Sequence, residues 1–175
     1  TVLDVGAVPT PAVQVAVEQH HAAGGVIISA SHNPTPWNAL KLLGPTGEFL
    51  DAELSKRYLA TVGQPGAWAT AEQLGGVRDA DGAIARQVEL ALALPWIEKA
   101  KWPRAPIVAV DGCRSVGGLA TPRALRELGC TVIEVDCTPD GAFTRGLEPV
   151  PENLGALGKA VTEGGVMIDL APMRA

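Results

Sequence analysis

From Ile107 onward, short apolar runs alternate with stretches of helical periodicity, and this alternation restricts the possible folds more than any other feature of the chain. The runs Ile107 to Asp111, Thr131 to Asp136 and Val166 to Leu170 are rich in Val and Ile and short enough to be buried strands. Between them, Leu119 to Leu128 and Glu152 to Glu163 carry the spacing of helices, closed by Gly129 and by Gly164-Gly165. A β-α-β-α-β unit follows, with parallel strands, right-handed crossovers and ligand sites at the carboxyl ends of the strands.

The preceding half reads as a second unit of the same class. Thr1 to Val5 is a strand. Ala12 to Ala23 is a helix entered through Pro9-Thr10-Pro11 and ended by Gly24-Gly25, with Val13, Val17 and His20 or His21 on one face. Val26 to Ile28, three consecutive β-branched residues, predict a strand covered on both faces as in a parallel sheet. Ala39 to Leu43 and Glu48 to Leu50 form a hairpin around Gly44-Pro45-Thr46-Gly47. Asp51 caps a helix reaching about Val62, although Leu54 stands where a capping box needs Glu or Gln. Gly63 to Gly76 is a surface connection.

Asp81 then opens a helix from Gly82 to about Ala100, with Ile84, Val88, Leu92 and Trp96 four residues apart and a kink near Leu94 from Pro95. Trp102-Pro103-Arg104-Ala105-Pro106 marks a boundary. The expected architecture is α/β: two three-layer α/β/α units with mixed or mainly parallel sheets, over residues 1–102 and 103–175, the second not necessarily complete.

Composition agrees with that class. The chain is 47% hydrophobic but only 4% aromatic, which suits small side chains packed between helices and sheets. A net charge of −5 with scattered Lys and Arg argues against a nucleic-acid surface. No apolar run approaches the roughly 20 residues of a membrane span, and the amino terminus shows no signal-peptide pattern. A soluble cytoplasmic protein is expected. Cys113, Cys130 and Cys137 form neither an even disulfide set nor a CxxC pair, so reduced, packed thiols are expected. His20 and His21, adjacent on a helix, point to different faces and cannot be an i, i+4 metal pair.

The residues that suggest chemistry follow the strand at Val26 to Ile28. There the apolar run stops in Ser29-Ala30-Ser31-His32-Asn33-Pro34. Ser and Asn form turns for purely local reasons, by bonding to nearby backbone amides. However, the hexapeptide together with Trp37-Asn38-Ala39-Leu40-Lys41 resembles the phosphoserine loop of the α-D-phosphohexomutases, the family of phosphoglucomutase, phosphomannomutase and phosphoglucosamine mutase. The later half is similar to that family's second domain. It has a Val-Asp-Gly turn with Gly117-Gly118, then Asp140-Gly141-x-Phe143, then Glu148-Pro149-x-Pro151-Glu152-Asn153-Leu154. Taken alone, Gly117-Gly118 reads as a packing pair at a helix start, and Asp140-Gly141 and Glu148-Pro149 as turn and helix-entry residues.

The resemblance implies late domain 1 and most of domain 2, a fragment of a four-domain enzyme. Absent from the chain are the family's opening Gly-Thr-x-Gly-x-Arg motif, the sugar-gripping third domain and the phosphate-clamping fourth. It further implies an intramolecular phosphotransferase that interconverts hexose 1-phosphate and hexose 6-phosphate through phosphoserine and a hexose bisphosphate. The fragment alone is expected to be inactive.

In that scheme Ser31 carries phosphate, a poor nucleophile needing a nearby base or electrophile. Lys41 supplies positive charge and is the candidate proton acceptor. His32 is catalytic, and with Asn33 shapes the loop and donates to phosphate or substrate; Arg174 is a further binding residue. Mg2+ would bridge the Ser31 phosphate and Asp169. Duller readings stand beside these: Lys41 as a solvated strand charge, His32 as a loop hydrogen-bonder and Asp169 as a strand-end residue.

The tail departs from the family's Asp-x-Asp-x-Asp-Arg, reading Asp169-Leu170-Ala171-Pro172-Met173-Arg174 with two carboxylates lost. Ala39 also stands where many relatives have Gly. That damage motivates a rival, a non-catalytic phosphosugar-binding or regulatory remnant. A third reading is a flavodoxin-like or response-regulator module built on Asp111 and Cys113. The resemblance implies that the choice among glucose, mannose and glucosamine phosphate is made in the family's third domain.

Overall fold

A computed structural model of the chain describes residues 1–34, 36–66, 69–97, 102–165 and 168–170. In order, its elements are β1 (Val2–Asp4), α1 (Thr10–Gln19), β2 (Gly25–Ile28), β3 (Leu40–Leu43), α2 (Ala52–Thr61), β4 (Val77–Asp79) and α3 (Ala83–Leu92). There follow β5 (Ile107–Asp111), α4 (Gly117–Glu127), β6 (Thr131–Val135), α5 (Gly155–Gly164) and β7 (Ile168–Leu170), with 3-10 turns at Ala71–Gln73 and Pro151–Asn153. Pairing is parallel for β1–β4, β5–β6 and β5–β7 and antiparallel for β2–β3. The fold is therefore mixed α/β with mainly parallel sheets, as the alternation of runs predicts.

The later unit is a sheet of order β6-β5-β7 with α4 and α5 packed on it. Its central strand is almost sealed: Val108, Ala109 and Val110 are at most 3% exposed, and Val108 and Val110 cluster with Cys137, Leu125, Cys130 and Val132. Each such valine contributes roughly 1.5–3 kcal/mol by leaving water. The chain leaves β5 toward β6 and then crosses to β7 on the other side of β5, a reversal that opens a crevice at the carboxyl edge. There Gly118 has a packing task, because a Cβ on it would lie 2.6 Å from the Cys137 Cα. Gly117-Gly118 thus starts α4 closely against the loop after β6, which is the structural reading of that pair.

In the earlier half, α1 divides its apolar face. Ala12 and Ala16 pack on Ala83 of α3 with Val5, Val8 and Ile84, while Val17 packs on Ile27 and Leu43 with Val13 and Ala22. Helix α3 also contacts α4. Asp51 caps α2 as the sequence indicates, its Oδ1 accepting the Leu54 N–H at 2.7 Å. The expected second hairpin arm is reduced to one bridge, Leu43 to Phe49.

Several expectations are corrected. Strand β2 is covered on one face only: Ile27 is 8% exposed, but Val26 and Ile28 are 57% and 69% exposed, because β2 pairs antiparallel with β3 and α1 covers only the Ile27 side. Helix α1 stops at Gln19, short of Ala23, because His21 takes a left-handed φ of 48°. Helix α3 begins after Gly82, itself left-handed, with no side-chain cap from Asp81, and ends at Leu92 before Pro95 can act. Trp96 is then 74% exposed and no part of a helical stripe. The helix expected from Glu152 is split, Pro151–Asn153 forming a 3-10 turn before α5. Strand β4 escapes a sequence reading because all three of its residues are exposed and carry no apolar alternation.

Candidate functional site

The serine loop proves to be the connection of an antiparallel hairpin. Strands β2 and β3 are joined through residues 29–39, and Ser29 N–H donates to the Ala39 carbonyl at 3.0 Å to close the loop. Inside it, Asn33 N–H donates to the Ala30 carbonyl at 3.1 Å and Trp37 N–H to the Pro34 carbonyl at 2.9 Å, giving two successive turns. Ser31 sits within the first turn at φ +55°, a left-handed conformation that costs an L-residue roughly 1–2 kcal/mol. Its N–H is held by Ser29 Oγ at 3.0 Å, and the residue is exposed. Strain of this kind concentrates where a side chain must be aimed.

Lys41 is placed by the same hairpin. Its Cα faces Ile27 across the ladder, and opposed residues in an antiparallel pair share a face. Lys41 therefore belongs to the face that carries buried Ile27 and Leu43, at the loop end of the hairpin, and is half-buried.

Opposite the loop lies the carboxyl edge of the later sheet. A cleft of about 620 Å³ separates them, lined by His32, Asn33 and Pro34 on one side and by Phe143, Arg145 and Glu148 among others on the second. His32 bridges it: Nε2 lies 2.9 Å from Glu148 Oε1, and Nδ1 lies 3.3 Å from Ser31 Oγ. The far wall is anchored in the core. Arg145 pairs with Asp111, whose side chain is fully buried at the end of β5 and whose Oδ1 accepts the Cys113 N–H at 2.9 Å. Asn153 Nδ2 donates to the Glu148 carbonyl at 2.9 Å, and Val150 N–H donates to the same carbonyl at 2.8 Å.

The sequence does not single out Arg145, and Glu148 reads from it as a helix-entry residue within the Glu148-Pro149-x-Pro151 motif. The signal for Arg145 was absent, since a lone Arg in a Gly-rich loop has no pattern. The signal for Asp111 was present but misleading. At 2% exposed and committed to Arg145, it is a structural anchor and offers nothing to the response-regulator reading.

Asp169 lies in β7 with its Cα opposite Ala109, one residue from the carboxyl end of the strand and so on the same edge of the sheet. Arg174 lies outside the described residues. Among the described residues no three His, Cys, Asp or Glu side chains are grouped to hold a metal ion. Three other carboxylates near this edge have partners: Asp111 pairs with Arg145, and Asp136 and Asp140 with Arg114. A magnesium site needs no cage of protein ligands, since the ion is commonly held by one or two carboxylates with phosphate and water oxygens.

Arg114 and Asp140 tie the loop after β5 to the loop after β6, Nε donating to Oδ1 at 2.8 Å. That hydrogen bond, aided by the Ala142 N–H, holds the Asp140 carboxyl below the usual carboxylate range. A group depressed on folding stabilises the fold above its unfolded pKa and loses that contribution as pH falls through the folded value. Asp140→Asn is therefore expected to flatten the acid limb of thermal stability below about pH 4. Identical acid limbs by calorimetry would contradict it.

Burial pushes the Cys113 and Cys137 thiols up, leaving little thiolate at neutral pH. Both are expected to react with iodoacetamide more slowly than half-buried Cys130, as mapped by peptide mass spectrometry. Equal labelling of all three would count against packed thiols. No helix among the described residues is long and apolar enough to cross a membrane.

Comparison with known proteins agrees with this fold. Residues 1–62 match the profile for phosphoglucomutase/phosphomannomutase alpha/beta/alpha domain I, and residues 90–171 match that for domain II. A phosphoglucomutase/phosphomannomutase of Thermococcus kodakarensis is 39% identical over 158 residues, 87% of this chain and 34% of the relative. A phosphoglucosamine mutase of Mycolicibacterium vanbaalenii is 38% identical over 177 residues, 97% of this chain and 37% of the relative. A phosphoglucomutase/phosphomannomutase family protein from Burkholderia thailandensis shares the fold at TM-score 0.67 and 24% identity, over 97% of this chain and 37% of that one. The chain spans about a third of the length of the curated relatives it matches.

Proposed function

The chain belongs to the phosphoglucomutase/phosphomannomutase family, and from that membership we propose that it supplies the phosphate-carrying part of a hexose phosphate mutase. Ser31 takes a phosphoryl group and passes it between the 1- and 6-positions of a hexose through a bisphosphorylated sugar. The observation that carries this reading is the setting of Ser31: an exposed residue at a strained φ of +55°, one position before His32 and Asn33, which line the cleft with Arg145. Lys41, at the loop end of the hairpin, contributes positive charge near the transferring group, and Asn33 lines the cleft where a sugar phosphate would enter. Positioning and charge do most of the work in phosphoryl transfer, which suits a site made of fixed loops. Magnesium, held through a phosphate on Ser31 and the Asp169 carboxylate, would neutralise charge on the transferring oxygens.

The test is incubation of the full-length protein with a hexose 1,6-bisphosphate in glucose, mannose and glucosamine forms, followed by peptide mass spectrometry. Phosphate on the Ser31 peptide is expected, and its absence with all three sugars removes the proposal. The loss of two carboxylates after Asp169 favours one rival, a phosphosugar-binding remnant without turnover. That rival predicts sugar phosphate affinity with no Ser31 labelling and no response to magnesium.

A further inference from the structure

Ser31, His32 and Glu148 form a continuous chain of hydrogen-bonding groups across the cleft, joining the serine loop to the loop after β6. An ionised carboxylate is an acceptor only, so the hydrogen between His32 and Glu148 belongs to Nε2. In the neutral ring Nδ1 then carries the lone pair, and the Ser31 hydroxyl, 3.3 Å away, is the donor to it. We infer that Glu148 is a positioning residue for phosphate transfer at Ser31, fixing the rotamer and tautomer of His32 so that the hydroxyl proton is held on the histidine side. An oxygen lone pair is thereby left toward the cleft. The inference rests on the phosphoserine reading and adds to it a residue from the opposite wall.

Glu148 is equipped for this because its backbone is held, not only its side chain. Its carbonyl accepts from Asn153 Nδ2 and Val150 N–H, and Arg145, three residues before it, is pinned to buried Asp111. Gly146 permits the close approach of Asn153, whose side chain would lie 2.5 Å from a Cβ at that position. The carboxylate is therefore presented from the core of one sheet to a histidine on the loop of another. A carboxylate behind a histidine fixes tautomer and ring orientation in the same way at metal sites.

The experiment measures tautomer and transfer separately in the full-length protein. Nitrogen-15 spectroscopy of the His32 ring in the unphosphorylated protein is expected to show the hydrogen on Nε2. Glu148→Ala is expected to lose that preference and to slow Ser31 labelling by a hexose 1,6-bisphosphate about 10-fold, with little change in KM. Glu148→Gln, whose amide oxygen still accepts, is expected to restore both. Matching circular dichroism melts show that the variants fold, as a 44% exposed side chain allows. A wild-type ring with its hydrogen on Nδ1 overturns the inference, as does a Glu148→Ala protein that labels at the wild-type rate. If wild-type Ser31 itself takes no phosphate, the phosphoserine reading falls, and the tautomer result shows whether the geometry survives without it.

Discussion

Ser31→Ala is expected to take up no phosphate from a hexose bisphosphate and to lose turnover by on the order of 10⁴-fold or more, the scale of removing a nucleophile that acts in concert with its neighbours. The exposed position of Ser31 means that this loss comes without a packing defect. A second substitution separates chemistry from folding. At φ +55° alanine keeps the left-handed cost of about 1–2 kcal/mol, whereas glycine removes it and returns about 0.5–1 kcal/mol in unfolded-state entropy. Ser31→Gly should therefore be as inactive as Ser31→Ala yet up to about 1 kcal/mol more stable. A Ser31→Ala protein with wild-type turnover would end the phosphoserine reading; a glycine variant clearly less stable than the alanine one would show that the loop is unstrained.

Arg145→Ala should have the largest effect on stability, about 3–5 kcal/mol, read by chemical denaturation. Asp111 has a side chain with no exposure, and Arg145 is only 16% exposed, so truncation leaves a carboxylate uncompensated beneath the cleft wall. The Cys113 N–H remains as one donor, which limits the damage without neutralising the charge. Asp111→Asn keeps an acceptor for that N–H and removes the charge, so it should cost less than Arg145→Ala. The same truncation should loosen the loop that carries Glu148, so Ser31 labelling should slow in Arg145→Ala even at temperatures where the protein stays folded. A loss of under about 1 kcal/mol, the range of exposed ion pairs, would mean that the anchor is solvated.

Sequence patterning reaches the elements whose burial is nearly complete. Val108 to Val110 form an apolar run because β5 is enclosed, so its periodicity survives as a readable signal. The same inference fails at Val26 and Ile28, where another short apolar run, wholly β-branched, lies in a hairpin with one face open. A run of apolar residues reports β-propensity, not how many faces a sheet will have covered. Likewise Ile84 and Val88 pack as expected while Trp96 does not, because the helix ends before its fourth turn.

What the residues determined unaided is local: the strand and helix order of the later unit, the hairpin turn at Gly44 to Gly47, the Asp51 cap, and the serine hexapeptide with its downstream lysine. These depend on contacts a few residues apart, so their rules are written in short windows. Tertiary structure alone decided that His32 faces Glu148, 116 positions later, that Asp111 is claimed by Arg145, and that Lys41 shares a face with Ile27. No window of sequence holds both members of such a pair. Which carboxylate meets which cation is set by how the hairpin loop and the sheet edge come to rest across the cleft.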